Sequence, residues 1–325
     1  QGLDKINYLT SDNIWNLKKL PRKLVILGGG PIGSEMAQAF SRLGSEVTVV
    51  EMSSQIMSRE DNDVVQFVKE RFKKEGIKVL VNHKAIRFKL NKLICDHKGK
   101  EKSIEFDQVL LALGRCPNVN GFGLSELGVK IRNNGTIQAN QFLQTNISNI
   151  FVCGDVTGPY QFTHAAAHQA WYATVNALFS PFKKFKVDYS IIPWTTFLDP
   201  EIARVGLNEK EAKELNIPYE TSVFGIDHLD RAITDSEGSG FIKVLTKPDK
   251  DKILGVTIVS THAGDLIAEY ILAMKHSIGL NKILGTIHVY PTYSESNKFV
   301  AGEWKRAHLP SFLIKVLEKF NNLRT

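Results

Sequence analysis

Between residues 24 and 51 the spacing of apolar positions changes twice. Leu24 to Leu27 is a continuous apolar run, the pattern of a strand covered on both faces of a parallel sheet. Met36, Ala37, Phe40 and Leu43 then recur at helical spacing, and Gly44 stands where that helix should end. Val47 to Val50 reads as a second strand, closed by Glu51. The alternation continues. Val64, Val65, Phe67, Val68 and Phe72 predict an amphipathic helix over 61–75, stopped by Gly76. Ile77 to Val81 reads as a strand, the Lys-rich stretch 84–106 as hairpin strands, and Gln108 to Ala112 as a buried strand. Further on, Ile150 to Cys153 predicts a short strand ending in Gly154-Asp155, and a helix opens near Thr163.

Residues 190–325 change character. Strand-like residues follow Ser190, and Asn208 with Glu211 forms a capping box for a helix over Glu209 to Leu215. GFIKVLTKPDKDKILGVTIVS predicts two strands about a Pro-Asp-Lys turn. Leu266, Ile267, Tyr270, Ile271, Met274 and Ile278 stripe a helix over Asp265 to Ile278, the pattern of core or interface. The whole predicts an α/β protein: Rossmann-like nucleotide binding first, a C-terminal α+β domain last.

Gly28-Gly29-Gly30-Pro31-Ile32-Gly33 matches GxGxxG between the first strand and its helix, the context that motif requires. Gly28 permits the tight turn, Gly30 lets a pyrophosphate approach the backbone, and Gly33 lets helix and strand pack closely. The N-terminus of the helix that opens at Pro31 offers its free backbone N–H groups, from Ile32 onward, to phosphate. Glu51, 18 residues after Gly33, is placed to bind ribose hydroxyls and to repel a 2′-phosphate, so NAD is expected over NADP. Asp155 ends its own short run and is placed for a ribose or polyol. His164 and His168 share the spacing of two metal ligands, but the Glu of HExxH and a third ligand are missing. The expectation is therefore a cofactor-facing helix N-terminus and no metal.

A net charge of +7 spread along the chain describes a solvated Lys-rich surface rather than a nucleic-acid site. No run of 18 apolar residues occurs, so no membrane span is expected. Three scattered cysteines, Cys95, Cys116 and Cys153, show no CxxC or zinc spacing and suggest a reducing compartment, the cytoplasm.

GGGPIGSE, LLALGRCPN and TNISNIFVCGD, in that order, resemble the FAD-dependent pyridine nucleotide–disulfide oxidoreductases, which include dihydrolipoamide dehydrogenase, glutathione reductase and mercuric reductase. WTTFLDPEIARVGLNEKEA and HVYPTYSE extend the resemblance into that family's dimerisation domain. It implies a homodimer with three segments: residues 1–115 as an NAD(P)-binding domain with a short lead-in, 116–188 as the second half of a discontinuous FAD domain, and 189–325 as the dimerisation domain. Asp155 would hold the FAD ribityl chain. His164 and Ala165, at a helix N-terminus, would face the flavin, with Gly114 and Gly154 at the cofactor. Glu35 would lie near the flavin and pair with a lysine of the FAD region. Hydride would pass between NAD(H) and FAD, and electrons to a small-molecule acceptor.

Two departures qualify that implication. The family's N-terminal FAD region, with its own GxGxxG and a CxxxxC redox pair, has no counterpart here, and the chain does not begin with Met. The sequence therefore reads as a piece of a longer enzyme, inactive by itself. Second, the family places an acid–base His before the proline of HVYPTYSE and a Glu five residues later. Here Tyr290 precedes Pro291, Glu295 keeps the partner's place, and His288 lies two residues early, on the same side as Tyr290 if the segment is a strand, so these three are the expected catalytic residues for proton exchange with the acceptor. A phenol titrates near ~10, far from the range that suits proton shuttling. Mercuric reductase resembles this chain in carrying Tyr there, although its C-terminal cysteine pair is missing from NNLRT. Two alternatives stay open: a reductase of another acceptor (quinone, peroxide or a second nicotinamide), and a non-enzymatic NAD-binding dimer module.

Overall fold

The computed structural model describes residues 1–180 and 182–322. They form two compact units, residues 1–113 with 193–322 and residues 114–192 without Pro181.

The first unit begins with β1 (Tyr8–Leu9), β2 (Lys23–Leu27), α1 (Pro31–Arg42), β3 (Glu46–Val50), α2 (Asn62–Lys74) and β4 (Lys78–Leu80). Then come β5 (Lys84–Lys89), β6 (Lys92–His97), β7 (Lys100–Glu105) and β8 (Gln108–Leu111). A parallel sheet runs β1-β8-β2-β3-β4, and β5-β6-β7 forms a separate antiparallel sheet. The continuous apolar run at Leu24–Leu27 is explained by burial on both faces. Leu24 and Ile26 pack with Ala37, Val64 and Phe72, whereas Val25 and Leu27 pack with Leu93, Cys95 and Phe106. Each such side chain contributes roughly 1.5–3 kcal/mol. Burial also pushes the Cys95 thiol up to about 11.

The second unit holds α3 (Thr163–Phe179) and loops tied by buried amides. Gln169 binds the Gly154 amide, the Gly158 carbonyl and the Tyr189 hydroxyl. Asn176 binds the Phe142 carbonyl and both backbone groups of Phe185. The strand expected at Ile150–Cys153 is not formed: Phe151 makes one isolated bridge to Gln144, and no ladder flanks it among the described residues.

Returning to the first unit, the chain forms β9 (Pro193–Thr196), β10 (Glu201–Gly206), α4 (Glu209–Glu214), β11 (Glu220–Gly225), α5 (Asp230–Thr234), β12 (Phe241–Thr246) and β13 (Ile253–Ser260). Helices α6 (Ala263–Lys275), α7 (Leu280–Leu284), α8 (Glu295–Ala307) and α9 (Ser311–Asn322) complete it. The antiparallel sheet runs β11-β12-β13-β10-β9. Both arms of the expected capping box on α4 are made. Of the expected stripe on α6, Leu266, Ile267 and Tyr270 are buried. Ser34 and Gln38 read as plain helix positions, but Gln38 does more: its amide donates to the Asp199 carbonyl at 3.0 Å and accepts from the Asp199 amide at 2.7 Å.

Candidate functional site

The glycine turn lies at the carboxyl end of β2. Gly28 has φ 103°, and a Cβ there would stand 2.4 Å from the Ala112 carbonyl oxygen. A Cβ on Gly33 would stand 2.0 Å from the Gly28 carbonyl oxygen, so glycine is what lets α1 approach the turn. A Cβ on Gly30 would meet no atom within 4 Å beyond its chain neighbours. Its neighbours Pro31 and Ile32 open α1, whose first amides have no carbonyls within the helix. Open backbone beside a helix N-terminus is the cradle that a pyrophosphate requires.

Glu51 closes the far side. Its carboxylate accepts the Gly29 amide at 2.7 Å and the Ser53 amide at 2.7 Å. Burial alone would raise its pKa, but these two amides hold it below the usual carboxylate range. An ionised carboxylate is thereby locked against the glycine turn with lone pairs left for two hydroxyls. The residues fit the ribose and pyrophosphate of a dinucleotide.

Glu35 lies one helical turn into α1. Burial raises its pKa, opposed by its bond from the Phe197 amide at 2.8 Å.

In the second unit, Asp155 accepts Arg115 Nη1 at 2.7 Å, and the same nitrogen donates to the Gln161 carbonyl at 3.2 Å. Gly114 and Gly154 flank that pair with φ 128° and φ 83°. Helix α3 starts without a side-chain cap. Ala165 is buried in its first turn, and the His164 ring stacks on Phe162 at 5.2 Å. His168 instead meets the Asp188 carbonyl at 3.2 Å. A carboxylate and an uncapped helix start suit a polyol and a developing negative charge. Arg115 is a partner that sequence reasoning did not single out, although it sits inside the quoted LLALGRCPN.

HVYPTYSE is not a strand. Residues 287–292 are irregular, and the Tyr290–Pro291 peptide is cis. His288 and Tyr290 consequently do not share a face. The imidazole is nearly covered and bonds Glu269 at 3.1 Å. Tyr290 is exposed, and its hydroxyl donates to Asp230 at 2.9 Å. That bond, with the charge of Asp230, pushes the phenol above its ordinary value. Glu295 accepts the Thr292 amide at 3.1 Å and opens α8.

A buried ion cluster was missed by the sequence reading. Lys243, on β12, donates to Asp61 at 2.7 Å, Asp63 at 2.8 Å and Glu209 at 3.0 Å. Arg204, on β10, pairs with Glu60 at 3.2 Å and Glu211 at 2.8 Å. A charged residue inside an apolar strand pattern was the available signal. Among the described residues, Glu220, Asp249 and His308 lie close enough together to share an ion, and His308 already pairs with Glu220 at 2.9 Å.

Two family descriptions match. That of the pyridine nucleotide-disulphide oxidoreductases covers residues 1–170, and that of their dimerisation domain covers residues 192–300. A mercuric reductase of Lysinibacillus sphaericus is 36% identical over 304 residues, 92% of this chain and 55% of that protein. A dihydrolipoyl dehydrogenase of Staphylococcus aureus is 35% identical over 291 residues, 88% of this chain and 62% of that protein. The solved structure of the HOCl-induced flavoprotein disulfide reductase RclA from Escherichia coli superposes with a TM-score of 0.83 at 26% identity, over 91% of this chain and 68% of that one. The chain thus spans about half the length of the mercuric reductases that it matches.

Proposed function

Since this chain belongs to the pyridine nucleotide-disulphide oxidoreductase family, we propose that it is the nucleotide-binding and dimerisation portion of a homodimeric flavoprotein oxidoreductase, using NAD(H) and FAD to reduce a disulfide or a related acceptor such as mercuric ion. The observation that carries this reading is the glycine turn closed by Glu51. Gly28, Gly30 and Gly33 leave backbone open to the pyrophosphate, with Pro31 and Ile32 starting the helix that faces it. Glu51, held ionised by Gly29 and Ser53, accepts ribose hydroxyls and disfavours a 2′-phosphate.

When bound, the flavin supplies the hydride and electron chemistry. Asp155, with Gly114 and Gly154 beside it, binds its polyol, and the start of α3 at His164 and Ala165 offers amides to negative charge. Glu35 is a buried carboxylate, and we assign it to the flavin side of the nicotinamide site. Tyr290 and Glu295 are the acceptor-side candidates, supported by the exposed phenol and its bond to Asp230. Among the described residues no helix is long and apolar enough to cross a membrane. We place the protein in the cytoplasm, supported by three free cysteines.

The test is anaerobic. NADH added to the intact gene product should bleach a flavin absorption band. A product without such a band, or with one that NADH leaves unchanged, refutes the oxidoreductase reading.

A further inference from the structure

The segment that presents Tyr290 to solvent is tied down from behind by a side chain only two residues away. Tyr290 is 67% exposed, whereas the His288 side chain is 7% exposed. Both nitrogens of the His288 ring face oxygen. Nδ1 lies 3.1 Å from the Thr286 carbonyl oxygen, and Nε2 lies 3.1 and 3.2 Å from the two carboxylate oxygens of Glu269 on α6. A neutral imidazole carries one N–H, so it can donate to one of these neighbours and must oppose a lone pair to the other. A carbonyl cannot supply the missing proton. Both contacts are attractive only when the His288–Glu269 pair holds one proton more than a neutral ring beside a carboxylate.

Asn297, on α8, adds a donor to the same carboxyl group. It is buried, and its Nδ2 donates to Glu269 Oε2 at 2.8 Å and to the Leu266 carbonyl at 3.2 Å. An oxygen of a carboxylate or of a carboxylic acid can accept that bond, but an imidazole is ordinarily more basic than a carboxylate. The proton therefore belongs on the ring, and a doubly protonated imidazole donates two bonds at once.

We propose that Glu269 and Asn297 hold His288 as a doubly protonated ring, and that this ring is a positioning device that fixes residues 286–290 so that Tyr290 reaches Asp230. This rests on reading HVYPTYSE as the acceptor half of the site. It reassigns His288 from proton exchange with the acceptor to positioning, because both ring nitrogens are already engaged inside the subunit. Tyr290 remains the group that the segment displays.

The experiment uses the intact gene product and has two arms. In the first, nitrogen-15 NMR of the histidine rings at neutral pH should show two protonated nitrogens on His288, identified by their disappearance in His288→Gln. Glu269→Gln, which keeps the size of the side chain and removes its charge, should leave one. A single protonated nitrogen in the wild-type chain overturns the proposal, as does a ring indifferent to Glu269→Gln. In the second arm, nitration of Tyr290 by tetranitromethane is followed by peptide mapping. His288→Gln and Glu269→Gln should each speed it about fivefold, the factor that one lost hydrogen bond produces. An unchanged rate in both variants overturns the positioning role. Neither arm reads acceptor turnover. If Tyr290→Phe left turnover intact, the acceptor reading would fail while the protonation result stood.

Discussion

Replacing Lys243 with Met keeps the volume and removes the charge at the centre of three carboxylates. The Lys243 and Asp61 side chains are 1% and 6% exposed, so Asp61 would be left as a buried anion without its cation. Removing one partner of a buried pair costs about 3–5 kcal/mol. Two features favour the lower end. Asp63 is half open and Glu209 partly open, so both rehydrate, and Asp61 keeps its bonds from the Glu209 and Lys210 amides. A loss of about 3 kcal/mol lowers the melting temperature of a unit this size by roughly 6–12 °C. Circular dichroism melts at neutral pH measure it directly. The pH dependence follows from the shifts. Burial works to raise the Asp61 and Glu209 carboxyls, but bonds to Lys243 and backbone amides hold them low. Their contribution is present above the unfolded value near ~4 and is lost as pH falls through the folded one. Lys243 is raised despite its burial, held by Asp61 and Asp63. Its contribution is present below ~10.4 and is lost as pH rises through the higher folded value. The gap between wild type and Lys243→Met should therefore be widest from about pH 5 to 10 and narrow as pH falls below about 4. Asp61→Asn added to Lys243→Met should recover part of the loss. A drop under about 1 °C, or a gap that does not change with pH, would refute this account.

Four further outcomes are expected. Glu51→Ala should weaken NADH binding about tenfold to a hundredfold, the range of charged hydrogen bonds, and NADPH binding far less; equal effects in a fluorescence titration remove Glu51 from the selectivity. Gly33→Ala drives a Cβ into the Gly28 carbonyl, so it should cost about 1–3 kcal/mol of stability and abolish saturable NADH binding. In the intact gene product, Tyr290→Phe should slow acceptor reduction in stopped-flow while flavin reduction by NADH stays near wild type. Glu35 is raised by burial, so its contribution to folding is present below its unfolded value and is lost as pH rises through the folded one. Glu35→Gln should accordingly melt higher than wild type at neutral pH and converge with it near pH 4.

What could be read from the sequence followed from local causes. Leu24–Leu27 reads as a buried strand because packing on both faces leaves no polar position, and the Asn208–Glu211 box is complete within four residues. Ile150–Cys153 has the composition of a strand, yet a ladder needs a neighbour and composition does not provide one. His288 and Tyr290 would share a face only in extended backbone, which residues 287–292 do not adopt. The partner of His288 is 19 residues away and that of Lys243 is 182 residues away. No period along the chain connects such pairs. The glycine turn was legible because its geometry is confined to one loop, whereas the bond from Gly29 to Glu51 emerges only once β2 and β3 lie side by side.

The pairing of Gln38 with both backbone groups of Asp199 bears on protein engineering. A side-chain amide here imitates a neighbouring strand, closing two hydrogen bonds between the helix of the glycine turn and the loop joining β9 to β10. A chimera that imports the nucleotide-binding segment of a relative would have to bring a glutamine, or an equal donor and acceptor, to that position. Otherwise the Asp199 peptide is orphaned at the seam. In this chain the nucleotide cassette is not a detachable module, and its borders are set by hydrogen bonds rather than by loops.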